Sequence, residues 1–157
     1  MFAEPQSEHR WLAQLVGKWA FEHACEMPDG QTSSTRGEMH CRMLGGLWLI
    51  CESAGESAEG GAWTSIMTLG FDPAQGCYVG TFVGSMMANI WSYRGGLDAS
   101  GKRLPLDTQG PTFDGTGTCR YRDTIEIEHG DQWLFTSEMQ NGDGQWVKFL
   151  DAKHVRA

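Results

Sequence analysis

The chain has 157 residues and a formal net charge of -8, with 40% hydrophobic and 20% charged residues. This length is typical of one domain with a hydrophobic core of its own, so we expect a single domain over residues 1–157. The acidic balance and the lack of a Lys/Arg run argue against nucleic acid and anionic membranes as partners, because both are bound through basic patches.

The N-terminus has no basic region followed by an apolar one, and no segment approaches the length of a membrane span. The five cysteines are single and form no Cys-x-x-Cys pair: Cys25, Cys41, Cys51, Cys77 and Cys119. An odd number of cysteines without a secretion signal indicates reduced thiols. We therefore expect a cytoplasmic protein.

A short amphipathic helix is predicted first, over about residues 8–16. Ser7 is a suitable N-cap, and Gly17 is a suitable stop. The apolar face of this helix consists of Trp11, Leu12, Leu15 and Val16. A helix this short is unstable alone, so we expect it to plug one end of a sheet.

About ten short segments with alternating apolar residues follow, between about residues 18 and 155. Clusters of Gly, Asp and Asn close each segment, with the sharpest hairpin signal at residues 141–144. The predicted strands include residues 63–71, 78–83, 87–97, 118–129 and 132–140. Consecutive hairpins without intervening helices predict an all-β, antiparallel, up-and-down barrel of about ten strands. Closed meanders of this size usually enclose a cavity.

No motif indicates a metal or a nucleophile. The five histidines form no His-x-His or His-Glu-x-x-His pair, so no metal site is predicted. There is no Gly-x-Ser-x-Gly elbow and no phosphate-binding glycine loop before a helix. Catalytic residues therefore cannot be assigned from motifs.

The strand over residues 118–129 is the most informative for a site. Its alternation separates Tyr121, Asp123, Ile125 and Ile127 from Arg120, Arg122, Thr124 and Glu126. An aspartate on a buried face must be paired or neutral. A shift of one residue exchanges the two faces, so the sequence leaves open which face is inward.

The candidate ligand-binding residues are polar or adaptable side chains within strands: His40, Arg42, Glu52, Met67, Met87, Trp91, Tyr93, Arg122, Asp123 and Glu138. The competing interpretation of the charged members is cross-strand ion pairing on the solvent face. A small barrel cannot hold all the large side chains inside and keep a cavity. Some of the tryptophans and methionines must therefore be exposed, which would suit a dimer contact.

The segment at residues 15–19, ending in Gly-Lys-Trp, resembles the opening of calycin-type barrels such as lipocalins. The segments at residues 44–48, 66–73, 78–87 and 121–123 are similar, in that order, to the bacterial family called domain of unknown function 1579. The resemblance implies a lipocalin-like barrel and brings no established activity or catalytic residue. Lipocalin-like barrels generally hold small apolar or amphipathic ligands, and some related barrels hold haem.

The first functional hypothesis is a binding module for a small amphipathic ligand, whose polar or anionic head meets Arg122, Arg42 or His40. A haem-binding variant of this hypothesis would use His154 or His23. The second hypothesis is a cavity enzyme that uses general acid/base chemistry. Its candidate groups are His23 and His40 with Asp123, Glu52 or Glu138. The third hypothesis is an interaction protein or homodimer without a ligand.

Overall fold

The computed structural model describes residues 1–157 as one helix followed by ten strands. Helix α1 covers Ser7–Ala13. The strands are β1 (Gly17–Glu26), β2 (Thr32–Leu44), β3 (Trp48–Ser57), β4 (Ala62–Asp72), β5 (Cys77–Gly84), β6 (Trp91–Gly95), β7 (Arg103–Pro111), β8 (Thr118–His129), β9 (Gln132–Gln140) and β10 (Trp146–Arg156).

Every strand pairs antiparallel with the strand before it, and β10 pairs antiparallel with β1. The sheet is therefore a closed barrel whose strands follow one another in chain order. This confirms the predicted all-β up-and-down barrel of ten strands with a short N-terminal helix. The tight turns explain the topology, because each one returns the chain directly alongside the strand just completed.

Three of the predicted boundaries are wrong. Helix α1 ends at Ala13 rather than residue 16, and its N-cap is Gln6 rather than Ser7. The backbone N–H of Gln6 donates to Nδ1 of His9 at 2.9 Å, which anchors the first turn. The strand predicted over residues 87–97 is shorter, since β6 begins at Trp91 and residues 85–90 form a loop beside the cavity described below.

Helix α1 closes one end of the barrel. Its apolar residue Leu12 is fully buried against the strand ends. The Tyr78 hydroxyl donates to the carbonyl of Glu8 at 3.0 Å, and Trp11 Nε1 donates to the carbonyl of Gly101 at 2.8 Å. These bonds attach the helix to β5 and to the turn before β7, so a helix too short to be stable alone is held by the barrel.

The hydrophobic core extends from α1 into the barrel. Its members are Leu12 of α1, Leu15 of the connection to β1 and inward residues at alternating strand positions: Trp19, Cys41, Leu49, Cys51, Met67, Leu69, Tyr78, Tyr93, Leu104, Leu106, Ile125 and Trp133. Full burial of a leucine-sized side chain contributes about 1.5–3 kcal/mol, so these residues supply a large part of the apolar stabilisation. The half of the barrel farther from α1 is incompletely filled.

Arg156, at the end of β10, joins the helix connection to the barrel wall. Its guanidinium donates to the carbonyls of Val16 at 2.9 Å and Gly130 at 2.8 Å. The same group lies 4.2 Å from the ring centre of the buried Trp19. One side chain therefore connects the start of β1, the end of β10 and the β8–β9 turn, at the seam where the barrel closes.

We expect Arg156→Met to lower the free energy of unfolding by about 1–3 kcal/mol, because it keeps the apolar stem and removes hydrogen bonds from a charged donor. The measurement is urea denaturation. Arg36→Met is the control, since the Arg36–Glu22 pair is 83% and 64% exposed. This control should change the free energy by less than about 0.5 kcal/mol, and equal losses in both variants would contradict the role given to Arg156.

Candidate functional site

A cavity of about 450 Å³ occupies the half of the barrel opposite α1. Its rim is formed by the loops and strand ends farthest from the helix, including residues 86, 87, 111 and 113. Hydrophobic residues make up 14 of its 25 lining residues: Cys25, Met39, Trp63, Met67, Phe82, Met86, Met87, Trp91, Tyr93, Phe113, Tyr121, Phe135, Phe149 and Leu150. The cavity is therefore mainly apolar, with aromatic and methionine walls.

Five of the ten candidate ligand-binding residues line this cavity: Met67, Met87, Trp91, Tyr93 and Asp123. The other five lie on the outer face of the barrel, and their prediction as cavity residues is wrong: His40, Arg42, Glu52, Arg122 and Glu138. The reason is strand alternation, because each of these residues neighbours an inward residue of the same strand. His40 and Glu52, for example, face each other across β2 and β3 beside the buried Cys41 and Cys51.

Arg122 shows what the outward residues do instead. Its Nε donates to Oδ1 of Asp107 at 2.7 Å, and its guanidinium lies 4.2 Å from the ring centre of Trp146. Arg120 reaches the same carboxylate at 3.8 Å. The alternative interpretation of these charges, cross-strand ion pairing on the solvent face, therefore holds for this strand.

The polar centre of the cavity is Asp123, on the inward face of β8. The hydroxyl of Tyr93 donates to Oδ2 of Asp123, and Ser137 is its direct partner on β9. Tyr93 is 4% exposed and Ser137 is 5% exposed, whereas Asp123 is only half-buried and lines the cavity. The carboxylate is therefore the accessible member of this group, which we call the Asp123 cluster (Tyr93, Asp123 and Ser137).

Burial raises the pKa of Asp123 above its usual value, and hydrogen bonds from Ser137 and Tyr93 oppose this rise. Burial raises the pKa of Tyr93 well above its usual value, and the neighbouring Asp123 charge adds to the effect. The phenol consequently keeps its proton and is the donor in the pair. This arrangement leaves a carboxylate in the cavity that has hydroxyl partners and no cationic partner.

Four aromatic rings form the wall between the rim and Asp123: Trp91, Phe113, Tyr121 and Phe149. The rings of Trp91 and Tyr121 are 5.0 Å apart at 85°, and the ring centres of Phe149 and Tyr121 are 6.0 Å apart. Tyr121 precedes Asp123 by two residues on the same inward face. This edge-to-face cluster, which we call the aromatic wall, leads directly to the carboxylate.

Glycines on neighbouring strands make room for two cavity tryptophans. A methyl group on Gly55 would lie 2.6 Å from the ring of Trp63, and one on Gly110 would overlap the ring of Trp91. Only a residue without a Cβ allows a ring to lie this close to the neighbouring strand. The positions of both indoles in the cavity wall therefore depend on these glycines.

Sequence reasoning missed several cavity residues, among them Ser65, Tyr121, Phe135 and Ser137. Strand alternation was the available signal, because Ser65 and Trp63 share a face with Met67, and Tyr121 shares a face with Asp123. The sequence could not assign these faces to the interior until one member of each strand was known to point inward.

Two histidines lie on another side of the cavity. The ring of His154 stacks on Trp133 with centroids 3.8 Å apart and an interplanar angle of 9°, and the ring of His23 lies 6.0 Å from it. Neither ring nitrogen of His154 has a hydrogen-bond partner. Burial lowers the pKa of His154 to about 3 and that of His23 to about 4, so both rings are neutral at neutral pH.

Haem ligation requires an imidazole nitrogen that opens into the cavity. His154 does not meet this requirement, because it is 1% exposed and both its nitrogens are sealed. His23 is half-buried and its ring lies 4.4 Å from that of Phe21. The predicted haem variant is therefore left with His23 alone as a candidate ligand.

The predicted enzyme has a specific geometric requirement, which is a histidine within hydrogen-bond reach of a buried acid. In the structure Asp123 bonds to Tyr93, while the ring of His23 packs against the rings of Phe21 and Trp63. His40 and Glu52 are opposite one another on the solvent face, outside the cavity. The His–carboxylate pair of that hypothesis is therefore not formed inside the barrel.

A closed barrel of ten antiparallel strands, with a helix across one end and an apolar cavity in the other half, defines the class of lipocalin-like barrels. Residues 4–156 match the model of the family described as "Protein of unknown function (DUF1579)". The chain belongs to this family, which confirms the resemblance found in its sequence. No curated protein matches the chain.

Solved structures with a similar fold are distant in sequence. Rv2717c from M. tuberculosis has a TM-score of 0.65 and 16% identity, over 98% of this chain and 99% of that chain. The S-type phycobiliprotein lyase CPES from Guillardia theta has a TM-score of 0.61 and 13% identity, over 98% of each chain. EF1p2_mFAP2b bound to DFHBI has a TM-score of 0.52 and 13% identity, over 96% of this chain and 100% of that chain. These identities support the shared fold alone.

No helix in the structure has the length and apolar character to cross a membrane.

Because burial lowers the pKa of both cavity histidines, we expect the folded chain to lose stability at acidic pH. Their pKa values in the folded chain lie below the unfolded value of about 6.5, so the unfolded chain binds protons first as the pH falls. As far as these histidines contribute, the free energy of unfolding should therefore have its full value above about pH 6.5 and should decrease as the pH falls toward about 4. Between about pH 7.5 and 5.5 we expect a loss of about 2–3 kcal/mol, measured by urea denaturation.

The variant His154→Phe should remove about half of this loss without lowering stability at neutral pH, because the nitrogens it removes have no partner. His40→Phe, on the exposed outer face, is the matched control and should keep the pH profile of the unmodified chain. A His154→Phe protein with an unchanged profile would show that the acid sensitivity has another origin.

Proposed function

We propose that the protein binds a small amphipathic molecule, with its apolar body against the aromatic wall and its polar head at the Asp123 cluster. The observation that carries this proposal is the cavity of about 450 Å³, apolar on most sides and containing one accessible carboxylate. Ligand pockets for small molecules typically measure about 300–1,000 Å³ and combine apolar walls with a few polar groups.

The polar anchor of this proposal differs from the one that the sequence suggested. Neither Arg42 nor Arg122 reaches the cavity, and no lysine or arginine lines it. The expectation of an arginine that meets an anionic head is therefore wrong. Asp123 takes that place, because it is the one carboxylic acid that lines the cavity, next to the aromatic wall.

The comparisons lend support at the level of fold only. One similar barrel, EF1p2_mFAP2b, is described as bound to DFHBI, and another is a phycobiliprotein lyase. Both descriptions are compatible with a barrel of this class that accommodates a small molecule. The sequence identities are too low to transfer a particular ligand to this chain.

The remaining alternatives receive less support. The interaction-protein hypothesis favoured a filled barrel, whereas this barrel contains a cavity. Homodimer formation stays a prediction, with the exposed Trp48 and the exposed rim methionines as its candidate surfaces.

We also keep the proposed cytoplasmic location, which the five free thiols support.

The first test uses a neutral apolar fluorophore, N-phenyl-1-naphthylamine, whose emission rises in an apolar pocket. Ser65 is 7% exposed and lines the cavity, so Ser65→Phe should fill part of it. We expect the affinity for the dye to fall by about tenfold or more. Thr64→Phe adds the same ring on the exposed face and serves as the matched control. Equal affinities of the two variants would reject the cavity as the binding site.

A second test concerns the outer face. Arg122→Ala should leave dye binding within about twofold of the unmodified chain, because the Arg122 side chain is paired with Asp107 outside the barrel. Titration of the dye into both proteins measures this directly. A substantial loss of affinity in a folded Arg122→Ala protein would return this arginine to the site.

A further inference from the structure

The charged and ionisable groups of the cavity indicate the chemical class of its ligand more closely than its volume does. Asp123 is the one carboxylic acid among the lining residues, which include no lysine or arginine. The two lining histidines are neutral, since burial lowers the pKa of His154 to about 3 and that of His23 to about 4. The cavity therefore holds one carboxyl group and no cationic side chain to pair with it.

We propose that the natural ligand is a small amphipathic amine whose ammonium group pairs with Asp123. This inference rests on the proposed binding function and specifies the chemical class of the ligand head. A partly buried carboxylate without a cation is unfavourable, and an ammonium group that enters the cavity supplies the missing charge. A carboxylate or phosphate head would place a second negative charge beside the first.

The hydrogen-bonding capacity of Asp123 is also incomplete. An ionised carboxylate accepts about four hydrogen bonds, whereas the Asp123 cluster provides the hydroxyls of Tyr93 and Ser137. Both hydroxyls belong to residues of the barrel strands that are almost fully buried. The carboxylate oxygens of Asp123 therefore have lone pairs left for a ligand in the cavity. An ammonium group has three N–H donors that can use them.

The aromatic wall favours the same ligand class. Trp91, Tyr121, Phe113 and Phe149 lie between the rim and Asp123, and aromatic faces attract cations through the ring quadrupole. An aromatic wall beside a carboxylate is a typical arrangement for the recognition of organic ammonium groups. The net charge of -8 on the chain adds a long-range attraction for cations and none for anions.

The experiment compares three ligands that share one ring system: 1-naphthylmethylamine, 1-naphthalenemethanol and 1-naphthoate. Each is titrated by calorimetry at about pH 7.5 and about 150 mM salt, which screens attraction to surface charges. Displacement of N-phenyl-1-naphthylamine reports whether each ligand occupies the cavity. We expect the amine to bind at least about tenfold more tightly than the alcohol, and the naphthoate to bind most weakly.

The variant Asp123→Asn keeps the shape of the side chain and removes its charge. It should abolish the preference of the amine over the alcohol while the alcohol retains its affinity within about threefold. Asp143→Asn removes one charge from an exposed turn and should leave the preference unchanged. Circular dichroism checks the fold, and Asp123→Ser replaces Asp123→Asn if the latter does not fold.

The outcomes separate the two proposals. Dye binding together with equal affinities for the amine and the alcohol would overturn the amine proposal and leave the cavity as a binding site. An amine preference that persists in Asp123→Asn would also overturn it. Failure of the dye and all three ligands to bind would reject the proposed function itself. The ranking of the three ligands on the unmodified protein tests the ligand class, and the Asp123→Asn variant tests whether Asp123 is the partner of the ammonium group.

Discussion

Closure of β1 onto β10 is the constraint on which the rest of this structure depends. A barrel of about eight strands has an interior that side chains just fill or that holds one small ligand, and the diameter grows with strand number. With ten strands, the interior exceeds what the core residues occupy once α1 has closed one end. The cavity is therefore a geometric consequence of closure, and Arg156 with Trp19 stabilises the seam where that closure occurs.

The two halves of the barrel differ in the size of their inward side chains. Leucines and the large rings of Trp19 and Trp133 fill the half next to α1. In the other half several inward positions hold serine, including Ser53, Ser65 and Ser137, which leave volume open. Small polar residues contribute little apolar burial, so the cavity costs stability that the packed half offsets. His154, whose ring stacks on Trp133 and whose nitrogens have no hydrogen-bond partner, accounts with His23 for the expected acid sensitivity.

The barrel wall separates opposite charges by one residue. Arg122 points outward to Asp107 and Trp146, and Asp123 points inward to Tyr93. The arginine is therefore neutralised on the solvent side, where ion pairs are tolerated, and the aspartate remains without a cation inside. This single alternation is the reason why the proposed head group is a cation rather than an anion.

The sequence by itself determined the elements and their order. Alternation and turn residues predicted β8 and β9 at their observed boundaries, since period-2 patterns and Asn/Gly turns act locally. They also separated Asp123 from Arg122. They could not choose the inward face, and half of the candidate site was misplaced as a result.

Only the tertiary structure decided which face points inward, because barrel closure orients all strands together. Tyr93 and Asp123 meet from positions 30 residues apart, through pairings that no local pattern encodes. Local propensity specifies which segments are strands, whereas burial against distant partners specifies what each side chain faces.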